Sequence, residues 1–215
     1  PTTAQEDPEA RKARILANLE LTYPQLGEME VTMGEITPSG FDGLDQGSFT
    51  VAGIFRELAC DGCIAGVDDS TNGYGVSVSG KFNLWGKDDF RWMASTGSGL
   101  GRYMGLNTAN AAVVGADGNL EAIDSTGIFG SYRHFWSEKW RSNFTLGYLM
   151  VDNDTDLTGT GVTKDASSVH VNLIYSPVPK MDFGIEYMHA NREIESGTDG
   201  DLDRIQFSAK PDPQQ

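Results

Sequence analysis

No stretch of this chain approaches the ~18 uncharged apolar residues that a membrane-spanning helix requires, which excludes a helical membrane protein. Basic residues are scarce: 16 Lys and Arg stand against 31 Asp and Glu, a formal charge of −15 in 215 residues. A surface of that sign repels phosphate and argues against nucleic acid as a partner. Cysteine is almost absent. With two in the whole chain there is no disulfide framework and no second pair for a structural zinc. The sequence opens at Pro1 on polar residues without an apolar h-region, so any export signal is expected to have been removed or never included. The length allows one large β domain or two small ones, with a sizeable core in either case.

What the chain does have is strict alternation. In VHVNLIYSPVPKMDFGIEYMHA (169–190), Val169, Val171, Leu173 and Tyr175 share one face before a turn, and Met181, Phe183, Ile185 and Tyr187 share it afterwards. His170, Asn172, Asp182, Gly184 and Glu186 share the other. Side chains alternate across a strand, so this is a two-faced antiparallel hairpin, with Pro177 and Pro179 expected in the turn, where no ladder donor is needed. The same reading from Tyr74 onward predicts seven strands, at about 73–85, 88–97, 125–136, 139–152, 167–176, 180–191 and 202–210. Their links at WGKDD (85–89), WSEK (136–139) and SPVPK (176–180) are tight. Those at 98–124, 153–166 and 192–201 are long and rich in Gly, Asp and Thr, and acidic runs such as VDNDTDLTGTG (151–161) and ESGTDGDLD (195–203) read as solvated loops. Short links at one end and long ones at the other are the asymmetry of up-and-down membrane barrels.

A soluble sandwich would alternate as well, burying one apolar face against a second sheet. Two features favour lipid. Phe90, Trp92, Trp136, Trp140, Tyr175 and Phe183 gather near the tight-turn ends, as an interfacial aromatic girdle does. The strands also reach the ~9–11 residues that cross a bilayer. On that parity Tyr74, Trp92, Phe144 and Ile205 face lipid. A watery lumen receives Lys81, Arg91, Arg133, Arg141, His170, Glu186, Arg204 and Lys210, with Asp182 among the fewer acids. A positive wall in a narrow low-dielectric tube concentrates anions, so small anionic solutes are the expected cargo, with Arg91, Arg133 and Arg141 the main contributors.

Three segments carry a family resemblance: GYGVSVSGKFNLWGKDDFRWMASTGSGLGRYMG, STGIFGSYRHFWSEKWRSNFTLGY, and VNLIYSPVPKMDFGIEYMHANRE with DLDRIQFSAK. Together, over about residues 72–210, they resemble the C-terminal part of DcaP-like trimeric outer-membrane porins. The resemblance implies a porin-type channel, contact with outer-membrane lipid, trimers where the barrel is complete, and passive diffusion of small, often anionic solutes. Family chains finish on an aromatic-terminated strand, whereas RIQFSAK here runs into PDPQQ, so the last strand is expected to stop near Lys210.

The stretch before residue 70 reads differently. DPEARKARILANLE (7–20) has Asp7 as N-cap, Pro8 at the first helical position and Ile15, Leu16 and Leu19 on one stripe, which predicts a short amphipathic helix. MEVTMGEI and GSFTVAGIF follow as two strands. Residues about 8–55 are similar to the N-terminal segment of exported thioredoxin-like proteins. The ACDGC motif (Cys60, Cys63) then suggests thiol–disulfide chemistry, but GCIAGVDD is a poor helix start and nearby acids oppose a thiolate, so a structural disulfide or loop thiols is the expectation. Asp152, Asp154 and Asp156 have calcium-loop spacing with Leu157 where that loop needs Gly. His134, His170 and His189 share no spacing, and glycines in GADGN and TGSGLGRYMG lack a phosphate-loop context. No catalytic residue, metal site or cofactor is expected.

The sequence therefore predicts a mainly β, antiparallel up-and-down sheet or partial transmembrane β-barrel of porin type. A small α+β segment (1–60), a CxxC linker (61–72), the barrel region (73–210) and a disordered tail (211–215) are the expected divisions. Seven strands cannot close a bacterial barrel, which has an even number from about eight upward, so an open sheet is expected unless GSFTVAGIF (47–55) supplies an eighth strand. The expected setting is the outer membrane of a Gram-negative bacterium, in a non-enzymatic homo-oligomer. A periplasmic thiol-redox accessory protein and a soluble β-sheet binding domain are the alternatives.

Overall fold

A computed structural model describes residues 25–35, 47–64, 67–105 and 108–211. The helix expected over 7–20 and most of the tail expected at 211–215 lie outside these. Eleven strands and two short helices follow one another: β1 (Gln25–Glu35), β2 (Gly47–Ile64), β3 (Val67–Asn83), β4 (Asp89–Ser98), α1 (Gly101–Gly105), β5 (Ala112–Val114), β6 (Leu120–Ala122), β7 (Asp124–Phe135), β8 (Trp140–Asp152), α2 (Thr155–Thr158), β9 (Thr163–Val178), β10 (Met181–Ile194) and β11 (Asp199–Pro211). Nine of the strands form one antiparallel sheet in the order β1-β2-β3-β4-β7-β8-β9-β10-β11, with β5 and β6 a separate hairpin.

All seven strands expected after residue 70 are present, each paired with its sequence neighbour in the sheet. The division at residues 60 and 72 does not hold. β2 runs through Cys60, and β3 begins at Val67, so the expected α+β segment and linker continue the ladder, paired from Gly47↔Phe82 to Ile64↔Val67. The sheet gains both GSFTVAGIF and a further strand, β1, which pairs Gln25↔Ala59 through Glu35↔Thr50. It is nevertheless open, since β1 and β11 each pair on one side only among the described residues. Two links expected to be long are also shorter than the sequence suggests, because β9 starts at Thr163 and β10 and β11 approach to Ile194 and Asp199. Acids and glycines there mask strand character, but their backbones pair as well as any once the strand has left the apolar layer. Pro177 lies in the last residues of β9 and not in the turn, beside a register irregularity between Met181 and Phe183.

Register assigns the described side chains of the sheet strands β2 to β4 and β7 to β11 to one of two faces, because the period is two. Phe55↔Tyr74, Phe82↔Phe90, Tyr132↔Phe144, Phe144↔Val171 and Ile185↔Phe207 are cross-strand pairs on one face. That face is uncovered: Leu146 is 55% exposed, Ile205 64% and Phe207 75%. A sandwich would bury it, whereas lipid is the solvent that suits it.

The buried core lies instead on the opposite, inward face at the long-link end. Residues between β4 and β7 fold back over the sheet, and Ala109, Val113, Ile123 and Leu157 pack on Leu149 and Val151. Ala111, Val114 and Leu120 pack on Leu58 and Cys60 of β2. Glycines face each other at Gly75↔Gly97, and the side chain of Leu100 occupies the slot a Cβ on either would need. Asp69 of β3 accepts the Leu120 amide at 2.5 Å, and the Ile123 amide donates to Ala111. Cys60 is disulfide-bonded and 6% exposed within this cluster, which is a structural role.

Leu58, with no exposed surface, joins the inserted segment to the β2–β3 hairpin. Its truncation to Ala is expected to cost about 2–5 kcal/mol, concentrated in that docking. Limited tryptic digestion of the folded protein checks it: cleavage at Arg102 should accelerate in Leu58→Ala while heat-modifiable gel mobility, which reports the ladder, is unchanged.

Candidate functional site

The candidate site is the inward face. By register, Lys81↔Arg91 and Arg91↔Ser131 put Lys81 and Arg91 on it, Phe135↔Arg141 and Asp89↔Arg133 add Arg141 and Arg133, and Met188↔His170, Glu186↔Asn172 and Met188↔Arg204 add His170, Glu186 and Arg204. Asp182↔Lys210 adds the last two, so all nine residues assigned to the lumen from the sequence share one face. The aromatic set shares the other: Gly80↔Trp92, Phe90↔Tyr132, Trp140↔Tyr175 and Phe183↔Tyr175 are pairs on it. There Trp140 stacks on Tyr175 at 4.4 Å, and Trp136 meets His134 edge-on at 4.3 Å while donating to Ser142 Oγ.

Along the strands the inward face changes character. At the tight-turn end it is ionic. Asp89, 2% exposed, accepts from Arg91 Nε at 2.9 Å and from Arg133. Arg141 spans Asp182, at 2.7 Å to Oδ2, and donates to Ser176 Oγ at 2.6 Å. In the middle it is hydroxyl and amide. Ser95 donates to Ser77, Ser131 and Thr145 pair at 2.7 Å, Asn143 donates to Asn172, and Asn172 donates to Glu186, whose other oxygen lies 3.5 Å from His170 Nδ1. At the long-link end it is apolar, under the inserted segment, with Arg56 3% exposed and its guanidinium 5.4 Å over the Tyr103 ring.

The ionic end corrects the picture of three bare arginines. Arg91 and Arg133 share one carboxylate and Arg141 has its own, so part of their charge is spent locally. Sequence reasoning missed Asp89 because it was read as turn; its spacing of two from Arg91, which puts both on one face, was the available signal. Arg56 and Arg192 were missed because strand parity had not been carried across residue 60 or past residue 191. Lys81, Arg204 and Lys210 have no carboxylate within salt-bridge distance among the described residues, and Lys81 lies directly opposite Arg91.

The turn before β4 is held from the outer side. Asp88 accepts from the Phe135 amide at 2.9 Å and the Tyr132 hydroxyl at 2.7 Å, and His134 Nδ1 lies at 2.7 Å. The Phe135 amide first, then the Tyr132 and His134 side chains, hold its carboxyl down at about 2 against an ordinary value of 3.8. At the opposite end Asp154 accepts from the Asp156 amide and caps α2, a local role for one of the spaced aspartates. Because folding lowers the Asp88 pKa, its contribution is complete above 3.8 and is lost as pH falls through about 2. The temperature of the heat-modifiable gel transition should therefore drop between those pH values, with a smaller drop in Asp88→Asn; equal drops would mean that Asp88 does not tie this turn.

The profile of the DcaP outer membrane protein family matches residues 63–211. Among solved structures, the crystal structure of the outer membrane channel DcaP of Acinetobacter baumannii has a similar fold, with a TM-score of 0.67 at 20% identity over 87% of this chain and 54% of that one. The chain thus spans about half the length of that channel. No curated protein matches it.

Proposed function

Since the chain belongs to the DcaP outer membrane protein family, we propose that it forms part of the wall of a porin-type channel in the outer membrane of a Gram-negative bacterium, which passes small anionic solutes by passive diffusion. The observation that carries this reading is the two-face register, continuous across β3, β4, β7 and β8, with uncovered aromatic and aliphatic side chains outward and charged and hydroxyl side chains inward. Lipid suits the first set and water the second. Assembly into a homotrimer and a purely non-enzymatic role belong to the same proposal.

The sign of selectivity follows from an inventory of the inward face of the sheet itself, on β2 to β4 and β7 to β11. Arg56, Lys81, Arg91, Arg133, Arg141, Arg192, Arg204 and Lys210 stand there against Asp69, Asp89, Asp182 and Glu186. The excess is positive although the whole chain carries −15. Field lines are focused by the low-dielectric wall, so the inward cations decide which ions concentrate in the lumen. Lys81 and Arg204, without carboxylate partners among the described residues, contribute most; Arg91 and Arg133 contribute what Asp89 leaves.

Detergent extraction with heat-modifiable mobility tests the membrane assignment, and staying in the soluble fraction would sink it. Reversal potentials in planar bilayers under a salt gradient test the selectivity. The anion-to-cation permeability ratio should fall on the order of twofold in Lys81→Gln with Arg204→Gln and rise in Asp182→Asn. Cation preference in the unmodified protein would overturn the anionic reading.

A further inference from the structure

Resting on that membrane-channel reading, we infer that the outer side of the tight-turn end carries a binding site for the headgroup of an amine-bearing phospholipid, of the phosphatidylethanolamine type. Because β4 and β7 are neighbours, paired as far as Asp89↔Arg133, the β3–β4 and β7–β8 turns stand side by side. Between them lies a cleft of about 460 Å³, within the range of small-molecule sites. It is lined by Trp85, Lys87 and Asp88 on the first turn and by His134, Ser137 and Glu138 at the second.

The floor of the cleft is fixed. The first turn closes through the Leu84 amide on the Asp88 carbonyl at 2.8 Å and the Asp88 amide on the Trp85 carbonyl at 3.0 Å, with Gly86 supplying a φ of 62°. The Asp88 carboxylate then ties that turn to Tyr132, His134 and Phe135 of β7. An ionised carboxylate only accepts, so His134 Nδ1 donates to it, and Nε2 of the neutral ring is left as an acceptor.

The rim carries both signs of charge. Lys87 and Glu138 are exposed, and among the described residues neither side chain bonds the other or anything else. Asp88 and Glu138 oppose a plain anion, while a plain cation leaves Lys87 unanswered. A guest with a phosphate toward Lys87 and a primary ammonium toward Glu138 answers both. Trp85, 78% exposed, offers the ammonium a ring face as well.

Depth says what the rest of the guest is. Phe82↔Phe90, Phe90↔Tyr132 and Tyr132↔Phe144 form a row across the outward face, and Phe82 and Phe144 are exposed. Asp88 and His134 are the next outward positions beyond Phe90 and Tyr132, roughly 7 Å further along the strands. The charged rim therefore starts where the apolar row stops, at the level where interfacial aromatic residues meet lipid headgroups. A lipid places its acyl chains on the row and its headgroup in the cleft; a soluble phosphoamine gains only the second.

Native mass spectrometry of the full chain, released from detergent micelles that carry equal amounts of dimyristoyl phosphatidylethanolamine and dimyristoyl phosphatidylglycerol, tests this. The ethanolamine lipid should be retained about threefold over the glycerol lipid, the scale of one exposed charge-assisted contact. Glu138→Gln should abolish that preference, and Lys87→Gln should lower retention of both lipids. If either variant loses heat-modifiable mobility, Trp85→Ala, which should weaken the ethanolamine lipid selectively, carries the same arm. Equal retention of the two lipids by the unmodified protein, or a preference that survives Glu138→Gln, would overturn the site. Glycerophosphoethanolamine at the same concentration should not compete, and competition would replace the lipid with a soluble guest. Conductance measured in parallel separates the two ideas: a protein that conducts without the lipid preference keeps the channel and loses the site, and one that shows the preference without conducting does the reverse.

Discussion

In hydrocarbon each peptide group without a hydrogen-bond partner costs several kcal/mol, and that penalty dictates the ladder on which everything else here depends. The ladder in turn dictates faces. From β2 to β11 the antiparallel pairs keep one parity, so a slip of one residue in β7 would exchange Tyr132 and Ile128 for Arg133 and Phe129 on the outer side. An arginine at the midplane of a barrel's lipid face costs roughly 2–4 kcal/mol. Such substitutions would occur along the whole strand at once, which makes the register far more strongly specified than any single contact could.

Given that register, the inward face is free to vary along the strand, and it does so in three bands. The ionic band near the tight turns is self-compensated, with Asp89 between two arginines and Asp182 against Arg141. The hydroxyl and amide band in the middle bonds across strands, which fixes side-chain positions without adding net charge. The apolar band lies where the segment between β4 and β7 folds in. That segment has no long strand or helix of its own to stabilise it; α1 has five residues and the β5–β6 hairpin pairs three on three. Its position comes from burial against Leu58, Leu149 and Val151, so the sheet serves as the second layer that so short a segment lacks.

Most of the sheet was legible in the sequence because its strands alternate cleanly where they meet lipid. Phe144, Leu146, Tyr148 and Met150 against Asn143, Thr145 and Gly147 leave little choice of face, and the lumen candidates fell on one side for that reason. Legibility ended where lipid ends. In VDDSTNGYG and ESGTDGDLD both faces are polar, alternation carries no contrast, and strand extensions read as loops. β1 and β2 were read as a separate segment because Gly, Cys and acids interrupt GSFTVAGIFRELACDGC, although Arg56, Leu58 and Cys60 keep the inward parity.

The charge of the chain then sorts by dielectric. Like charges sit directly opposite each other at Asp124↔Asp152, Asp165↔Glu193 and Glu193↔Asp199, all toward the long-link ends. Such pairs are unfavourable, yet there they lie beyond the apolar layer, where water and salt screen them, and Lys164 bonds Glu193 at 2.7 Å. The inward cations are surrounded on their outer side by the aromatic and aliphatic face and by lipid, where screening is weaker. A small positive excess inside can therefore outweigh a larger negative charge outside in setting the potential that a solute meets. The net charge of −15 consequently describes how the rim greets the solvent, while the sign of the lumen is decided by the few side chains that register turns inward.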